Sequence, residues 1–276
     1  MTSTESTPPP AEFDAARYGP WAVITGGSEG VGRAFARRLA EAGLNLLLVA
    51  RKPGPLAETA RECRELGVQV RELSVDLSDP ASADAVAEAV ADVQVGLLVH
   101  NAGANTHSAE FLDGDLAAFG RVIDLNITTP LALVAHFGAP MRERGRGGIL
   151  LVGSLAGYLG SVRHTVYGGV KAFGRIFAEG LWLELRDHGV DVLELVLGVT
   201  RTPAMSRVGL NFEAPGLRVS EPDEVAAEGL AALGSGPVHV VARHARLAEA
   251  HGNPDRTATV AGNDAAMRRL MNRKPE

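Results

Sequence analysis

Residues 21–32 read WAVITGGSEGVG, a segment in which an apolar run of strand length leads into a glycine-rich turn and then a helix. Glycines at positions 26, 30 and 32 permit a tight turn, close approach of a pyrophosphate to the backbone and close packing of the helix. The free amides at the start of that helix favour an anion. A glycine-rich turn alone is weak evidence, but this strand–turn–helix context predicts a dinucleotide site.

The rest of the chain alternates between apolar runs of strand length and segments with helical spacing. The further strand-like runs are 44–50, 68–75, 95–99, 149–152, 190–196 and 238–241. The helical segments are 31–42, 56–66, 81–93, 116–144, 166–188 and 221–233. This alternation predicts an α/β fold, a Rossmann-like doubly wound parallel sheet of about seven strands with helices on both faces.

The domain organisation is predicted to be simple, because the chain shows neither an internal repeat nor a linker. We expect one domain over residues 19–250, including a lid at about 200–219. Residues 1–18 are predicted to be disordered, and residues 251–276 to form a polar C-terminal tail.

A second informative segment is 149–171, ILLVGSLAGYLGSVRHTVYGGVK. Tyr167 and Lys171 are four residues apart, so on a helix they share one face. A cation there favours the phenolate and lowers the tyrosine pKa from about 10. Ser154 ends a strand-like run, at the edge where open α/β sheets bind ligands. Such a tyrosine–lysine pair also arises by chance in long helices, so on its own it is most simply structural.

Several short motifs in order change that interpretation. TGGSEGVG at 25–32, HNAG at 100–103, Asn126, Ser154, Tyr167 and Lys171 together resemble the classical short-chain dehydrogenase/reductase family over roughly residues 21–203. The resemblance implies an NAD(P)-dependent oxidoreductase acting on CH–OH and C=O groups, with Asn126, Ser154, Tyr167 and Lys171 as catalytic residues. It makes Tyr167 the acid/base, Ser154 the hydrogen-bond donor to the carbonyl oxygen, and Lys171 a ribose contact. Asn126 matches an asparagine whose kinked backbone holds a water that links the lysine to solvent.

The end of the second predicted strand bears on the choice of cofactor. NAD-binding proteins of this fold place an acid there for the ribose 2′-hydroxyl, whereas this chain has Arg51 and Lys52. Two cations match a 2′-phosphate, so NADP(H) is predicted over NAD(H); the alternative is that Arg51 is a solvated strand-end charge. Asp76 matches the family's adenine-contacting aspartate, or else it serves a local turn.

The resemblance implies a larger set of cofactor contacts and no metal site. The contacts are Gly26, Ser28, Glu29, Gly30, Val31, Gly32, Arg51, Lys52, Asp76, Leu77, Asn101, Ala102, Gly103, Tyr167, Lys171, Thr200 and Thr202.

The chain departs from the family pattern at two places. His100 stands where the family often has asparagine, and we interpret it as a packing variant rather than a proton shuttle. Residues 197–205 read LGVTRTPAM where relatives usually show PGxVxTP, so Leu197 and Thr200 leave the cofactor contacts of this loop open.

The lid carries apolar residues that would suit a hydrophobic ketone or alcohol, or that pack beneath it: Met205, Val208, Leu210, Phe212 and Leu217.

Composition narrows the partners and the compartment. The net charge of −6 is spread along the chain, which favours a small-molecule substrate over nucleic acid or a membrane surface. The single cysteine, Cys63, fits a reducing compartment. With no secretory signal and no apolar run approaching about 20 residues, we expect a cytoplasmic protein without membrane insertion.

The helix after Tyr167 predicts self-association, because it is apolar nearly all round and needs cover on two sides. Its apolar residues are Phe173, Ile176, Phe177, Leu181, Trp182, Leu183 and Leu185. A homodimer is expected, a tetramer being less certain.

A competing hypothesis for the whole chain is a catalytically silent NADP(H)-binding sensor or scaffold of the same fold.

Overall fold

The computed structural model describes residues 13–272, which are built around one parallel sheet. Its strands are β1 (Trp21–Thr25), β2 (Asn45–Ala50), β3 (Val70–Ser74), β4 (Val95–His100), β5 (Gly147–Ser154), β6 (Val190–Leu197) and β7 (Val238–Val240). Their order is β3-β2-β1-β4-β5-β6-β7, and every pairing is parallel. The predicted seven-stranded, doubly wound sheet is confirmed. The order reverses between β1 and β4, where such sheets form their ligand crevice.

Helices cover both faces of this sheet. In the described part of the chain they are α1 (Ala15–Tyr18), α2 (Gly30–Glu41), α3 (Pro53–Glu65), α4 (Ser82–Glu88), α5 (Leu116–Ile123), α6 (Thr129–Arg144), α7 (Thr165–Leu185), α8 (Pro203–Arg207), α9 (Pro222–Ala232), α10 (Ala245–His251) and α11 (Arg256–Asn272). One core lies between the sheet and α2, α3 and α9. The other lies between the sheet and α4, α6 and α7.

The two ends of the domain differ from the sequence prediction. Residues 1–12 lie outside the described part of the chain, but the predicted disorder is wrong for 13–18. Asp14 caps α1 there, and the buried Tyr18 donates its hydroxyl to Asp191 at 2.7 Å. Burying an aromatic ring and bonding its hydroxyl order this short segment. The polar tail also contains structure, since α11 occupies most of it.

The predicted helix over 116–144 is interrupted. A π-helical turn, Asp124–Thr128, separates α5 from α6 and contains Asn126. The continuous segment Leu116–Arg144 is also long and apolar enough to cross a membrane, contrary to the sequence-based statement that no run approaches that length. Half of its 18-residue apolar window is buried inside the domain, however, and the core helix of a globular protein meets the same criterion.

Candidate active site

Ser154, Tyr167 and Lys171 meet at the carboxyl end of β5. Ser154 is the last residue of that strand, and its Oγ accepts a hydrogen bond from the Ala156 amide at 3.1 Å, which caps a short 3₁₀ turn. Because α7 begins at Thr165, Tyr167 and Lys171 lie in its first two turns. The Lys171 Nζ is 5.8 Å from the centroid of the Tyr167 ring. The predicted shared face is therefore present.

The pKa of Tyr167 differs from the one predicted from the sequence. Burial raises the pKa of Tyr167 above its ordinary value, and interaction with the Ser154 hydroxyl lowers it by less. Lys171 was expected to lower this pKa, but its Nζ donates to the Val152 carbonyl at 3.0 Å. Burial also lowers the pKa of Lys171 to about 8, partly offset by Glu194. At neutral pH the phenol is therefore protonated.

Asn126 lies beside the lysine because the π-helical turn displaces it from regular helical geometry. Its Nδ2 donates to the Val122 carbonyl at 2.9 Å and the Ala104 carbonyl at 3.3 Å. A Cβ built on Gly103 would lie 2.8 Å from Lys171 Nζ and 2.9 Å from Asn126 Oδ1. Because Gly103 has no side chain, the Lys171 ammonium and the Asn126 amide can both lie against its backbone.

The glycine turn, residues 25–32, has the predicted tight geometry. Gly26 and Gly30 have φ angles of 66° and 56°, a region that favours glycine. A Cβ on Gly32 would collide with the Gly26 carbonyl, so α2 packs directly on the turn. Asn101 braces the turn by donating from Nδ2 to the Gly26 carbonyl at 3.1 Å. These close approaches, together with the amides at the start of α2, fit a dinucleotide pyrophosphate.

Arg51, Lys52 and Asp76 lie together at the carboxyl ends of β2 and β3. Arg51 and Lys52 are exposed, and the Arg51 Nη1 is 3.8 Å from the Asp76 Oδ2. The Asp76 Oδ1 accepts hydrogen bonds from the Ser78 amide at 3.0 Å and the Ser78 hydroxyl at 2.8 Å. Asp76 therefore serves the local turn that was the alternative interpretation, while its other oxygen faces the basic group.

Several predicted cofactor residues do not turn their side chains to the site. The side chains of Val31 and Leu77 are buried in the two cores, which leaves their backbone atoms for contact. Ala102 packs against the second core, and its amide donates to Thr25 Oγ1 at 3.0 Å. The Ser28 carbonyl accepts a hydrogen bond from the Thr59 hydroxyl at 3.1 Å. Which atoms of these residues would contact a cofactor is therefore a matter of their backbone rather than of their side chains.

The loop after β6 shows how its departures from the family pattern are accommodated. Thr200 is buried and donates to the Gly198 carbonyl at 3.3 Å, so the geometry does not support its predicted cofactor contact. Thr202 is close to the glycine turn, since a Cβ on Gly30 would lie 2.9 Å from its Cγ2. The buried His244 packs on Gly198 and contacts Ser220 Oγ at 3.1 Å. Sequence reasoning missed this histidine, for which no motif gave a signal.

An ion pair joins the lid to the glycine turn. Glu29 receives hydrogen bonds from both terminal nitrogens of Arg207 in α8, and Arg207 lowers the Glu29 pKa. The Glu29 carboxylate is thus committed to the lid, and only its backbone remains for the predicted cofactor contact. Met205 and Val208 expose apolar surface on the lid, 37% and 74% respectively.

Two buried ionisable residues accompany Lys171. His100 contacts Thr25 Oγ1 through Nδ1 at 3.1 Å, and burial lowers its pKa to about 3. It is therefore neutral, which agrees with a packing role rather than a proton shuttle. Glu194 on β6 is 2% exposed and was missed from the sequence. Its signal was a carboxylate interrupting the otherwise apolar run LELV of a buried strand.

Comparisons with known proteins agree with this geometry. The family model for short chain dehydrogenase matches residues 20–211. A very-long-chain 3-oxoacyl-CoA reductase of Meyerozyma guilliermondii is 36% identical over 214 residues, covering 72% of this chain. That match covers 62% of the reductase, so the chain spans less than two thirds of its length.

Two solved structures are also similar over nearly the whole chain. A structure from work on 7beta-hydroxysteroid dehydrogenase stereoselectivity has a TM-score of 0.85 and 27% identity, covering 91% of this chain and 99% of that one. A short-chain dehydrogenase from Sphingobium yanoikuyae in complex with NADPH has a TM-score of 0.73 and 31% identity, covering 93% and 97%.

Proposed function

The chain belongs to the short chain dehydrogenase family, and from that premise we propose that it is an NADP(H)-dependent oxidoreductase. It would transfer a hydride between the nicotinamide and a carbonyl or secondary alcohol of a hydrophobic small molecule. The observation that carries the proposal is the convergence of Ser154, Tyr167 and Lys171 at the carboxyl end of β5, with Lys171 Nζ 5.8 Å from the phenol ring.

Each of these side chains has a distinct task in reduction of a carbonyl. The bound nicotinamide supplies the hydride. The Ser154 hydroxyl donates a hydrogen bond to the carbonyl oxygen and stabilises the charge that develops there. Tyr167, whose pKa burial raises, starts as the neutral phenol and donates the proton. The Lys171 ammonium stabilises the phenolate that remains. Asn126 holds the water through which a proton passes from solvent to the lysine.

The preference for NADP(H) is supported by charge at the edge of the sheet. Arg51 and Lys52 are both exposed where NAD-binding proteins of this fold place an acid. Asp76 neutralises part of that charge from 3.8 Å, but a phosphate dianion would still meet two cations. The similar dehydrogenase from Sphingobium yanoikuyae was solved with NADPH, which also supports the assignment.

The substrate class is argued from the lid and from the relatives. Apolar Met205 and Val208 are exposed on the lid, which favours a hydrophobic substrate. In the sequence comparison the match covers 84% of a 7beta-hydroxysteroid dehydrogenase of Clostridium sardiniense, which is 30% identical, but 62% of the acyl-CoA reductase. A bulky ring ketone or its alcohol is therefore the first class to test.

We also propose a cytoplasmic location, supported by the buried free thiol of Cys63.

The test follows NADPH absorbance with a panel of keto-steroids, 3-oxoacyl thioesters and aryl ketones. Once a substrate is found, Tyr167→Phe should lower the rate by ~10²–10⁴-fold, the usual contribution of a positioned acid or base. Its NADPH affinity should stay near that of wild type, because the glycine turn and Arg51 are unchanged. Tyr18→Phe is the control, since it removes a hydroxyl that bonds Asp191 away from the site.

Two outcomes would count against the proposal. A Tyr167→Phe protein with a near-normal rate would show that another group supplies the proton. Tight NADPH binding without turnover of any compound in the panel would instead favour the silent sensor or scaffold.

A further inference from the structure

A small, partly enclosed cavity lies behind Lys171, among α7, the π-helical turn, the start of α6 and strands β4, β5 and β6. Its volume is about 30 Å³. One water needs roughly 10–15 Å³ of such space, so the cavity has room for one or two. Four polar side chains contribute to its lining: His100, Asn126, Lys171 and Glu194. The cavity thus connects the proposed catalytic lysine with a carboxylate that the mechanism above does not use.

Three of these side chains have a buried polar atom without a hydrogen-bond partner in the described part of the protein. The atoms are His100 Nε2, Asn126 Oδ1 and Glu194 Oε2. Thr25 Oγ1 accepts from the Ala102 amide, so its hydroxyl proton is free to go to His100 Nδ1, which leaves Nε2–H as a donor. A donor, two acceptors and an ammonium around one space are the partners that buried water requires.

The fold makes room specifically for the Glu194 carboxylate. A Cβ on Gly153 would lie 2.5 Å from Glu194 Oε1, and a Cβ on Gly174 would lie 3.3 Å from the same atom. Two glycines, one on β5 and one on α7, therefore flank the carboxylate. Glu194 also stands in a strand whose other inward positions are apolar, so core packing alone does not account for it.

The charges around Glu194 come mainly from α7. Lys171 and Arg175 favour its ionised form, Glu179 opposes it, and burial raises its pKa to about 7. The cavity is also lined by the neutral His100 of β4 and by Leu151 and Val152 of β5. On β7, the residue paired with Glu194 is Val238. Burial lowers the pKa of Lys171 to about 8, and Glu194 offsets part of that effect. At mildly alkaline pH the two groups are then oppositely charged.

We propose that Glu194 is a positioning residue whose carboxylate, acting across the water-sized cavity, keeps Lys171 in its ammonium form. No ion pair within 4 Å joins the two among the described residues, so the carboxylate acts on the ammonium at longer range, across the cavity. Its consequence for turnover rests on the proposed oxidoreductase function. The charge on Lys171 itself can be measured without any substrate.

The chain is well suited to that measurement because it contains three lysines, Lys52, Lys171 and Lys274. Labelling lysine with ¹³C gives three Cε signals to follow against pH by NMR, and Lys171→Met assigns the relevant one. In wild type we expect Lys171 to titrate near the pKa of about 8. In Glu194→Gln its midpoint should be lower by ~1 pH unit, because a nearby carboxylate favours the ammonium and the amide does not.

Two variants separate this electrostatic role from a packing role. Glu194→Asp keeps the charge and should retain most of the wild-type midpoint. Glu184→Gln removes one charge from an exposed position on the same helix and should leave the Lys171 midpoint unchanged. An unchanged midpoint in folded Glu194→Gln, or an equal shift in Glu184→Gln, would overturn the inference.

The pair can also be tested from the other side should Glu194→Gln fail to fold. With ¹³C-labelled glutamate, Lys171→Met should raise the pKa of Glu194, because the interaction is reciprocal; an unchanged Glu194 midpoint would overturn the inference. In the wild-type background NADPH affinity should weaken as pH rises through the Lys171 midpoint, and in Glu194→Gln this loss should begin at lower pH. A shifted Lys171 midpoint without turnover of any ketone would contradict the proposed function and leave this inference standing.

Discussion

Arg51 is the side chain on which the expected cofactor preference depends most directly. Its guanidinium is exposed at the carboxyl end of β2, and it is not held in a tight ion pair, since Asp76 is 3.8 Å away. Arg51→Ala should therefore weaken NADPH binding by about ten- to a hundredfold, the effect of losing one charge-assisted contact. NADH binding should change little, because NADH has no 2′-phosphate.

Fluorescence titration of both cofactors into wild type and Arg51→Ala measures this preference. Arg61→Ala is a suitable control, because Arg61 is an exposed arginine of α3 that pairs with Glu65. Equal affinity of the wild-type protein for NADPH and NADH would refute the argument from charge.

Individual side chains also show where sequence-based prediction reaches its limit. Tyr167 and Lys171 were accessible from the sequence because a four-residue spacing fixes their common helical face. The pKa of Tyr167 was not, because it depends on burial, which raises it against the expected effect of Lys171. Glu194 and His244 were missed because their surroundings come from strands and loops far away in the chain.

The predicted lid and the glycine turn are two elements joined by an ion pair. Arg207 of α8 and Glu29 are 49% and 27% exposed, so their interaction is worth at most about 1 kcal/mol. Arg207→Ala should loosen the lid, and hydrogen exchange over residues 203–210 should accelerate by up to about fivefold. The Michaelis constant of a hydrophobic substrate should rise with it, because the lid closes less often.

Exchange measured by mass spectrometry resolves this segment from the rest of the domain. Arg243→Ala is the control, since Arg243 is as exposed as Arg207 and pairs with Glu224 outside the lid. Exchange rates over 203–210 that are the same in wild type and Arg207→Ala would show that the ion pair does not hold the lid.

Helices and strands were predictable to different degrees. The predicted ends of the strands lie within two residues of the observed ones, because each strand is an apolar run bounded by polar or turn residues. The π-helical turn Asp124–Thr128 was not visible in the pattern of apolar residues, and only the family resemblance of Asn126 pointed to an irregularity. The helix α11 was missed because its apolar residues do not form a periodic face.

The arrangement of the whole molecule explains why residues distant in sequence form one site. The sheet order reverses between β1 and β4, so the glycine turn after β1 lies next to the segment that follows β4. Asn101 in that segment bonds the turn, and Gly103 beside it contacts the region of Lys171 and Asn126. We therefore expect an extended cofactor to lie along this edge of the sheet, from Arg51 to Tyr167.

The outer surface of α7 is the feature that predicts how two molecules associate. Of its apolar residues, Leu185 is buried, and Phe177, Leu181 and Trp182 pack against the core. Phe173, Ile176 and Leu183 remain 39%, 61% and 58% exposed, and the neighbouring α5 exposes Leu116 and Ile123. Apolar surface concentrated on two adjacent helices favours a partner rather than water.

We therefore expect a homodimer in which α5 and α7 of one chain pack against those of a second copy. Ile176→Glu should convert it to a monomer, because a desolvated charge at the centre of an apolar contact is strongly unfavourable. Light scattering after size exclusion at micromolar concentration gives the mass directly. Leu247→Glu is the control, since it places the same charge on an apolar residue that is 42% exposed on α10. A monomeric wild-type protein would contradict the expected homodimer. A dimer that survives Ile176→Glu and dissociates with Leu247→Glu would place the contact elsewhere.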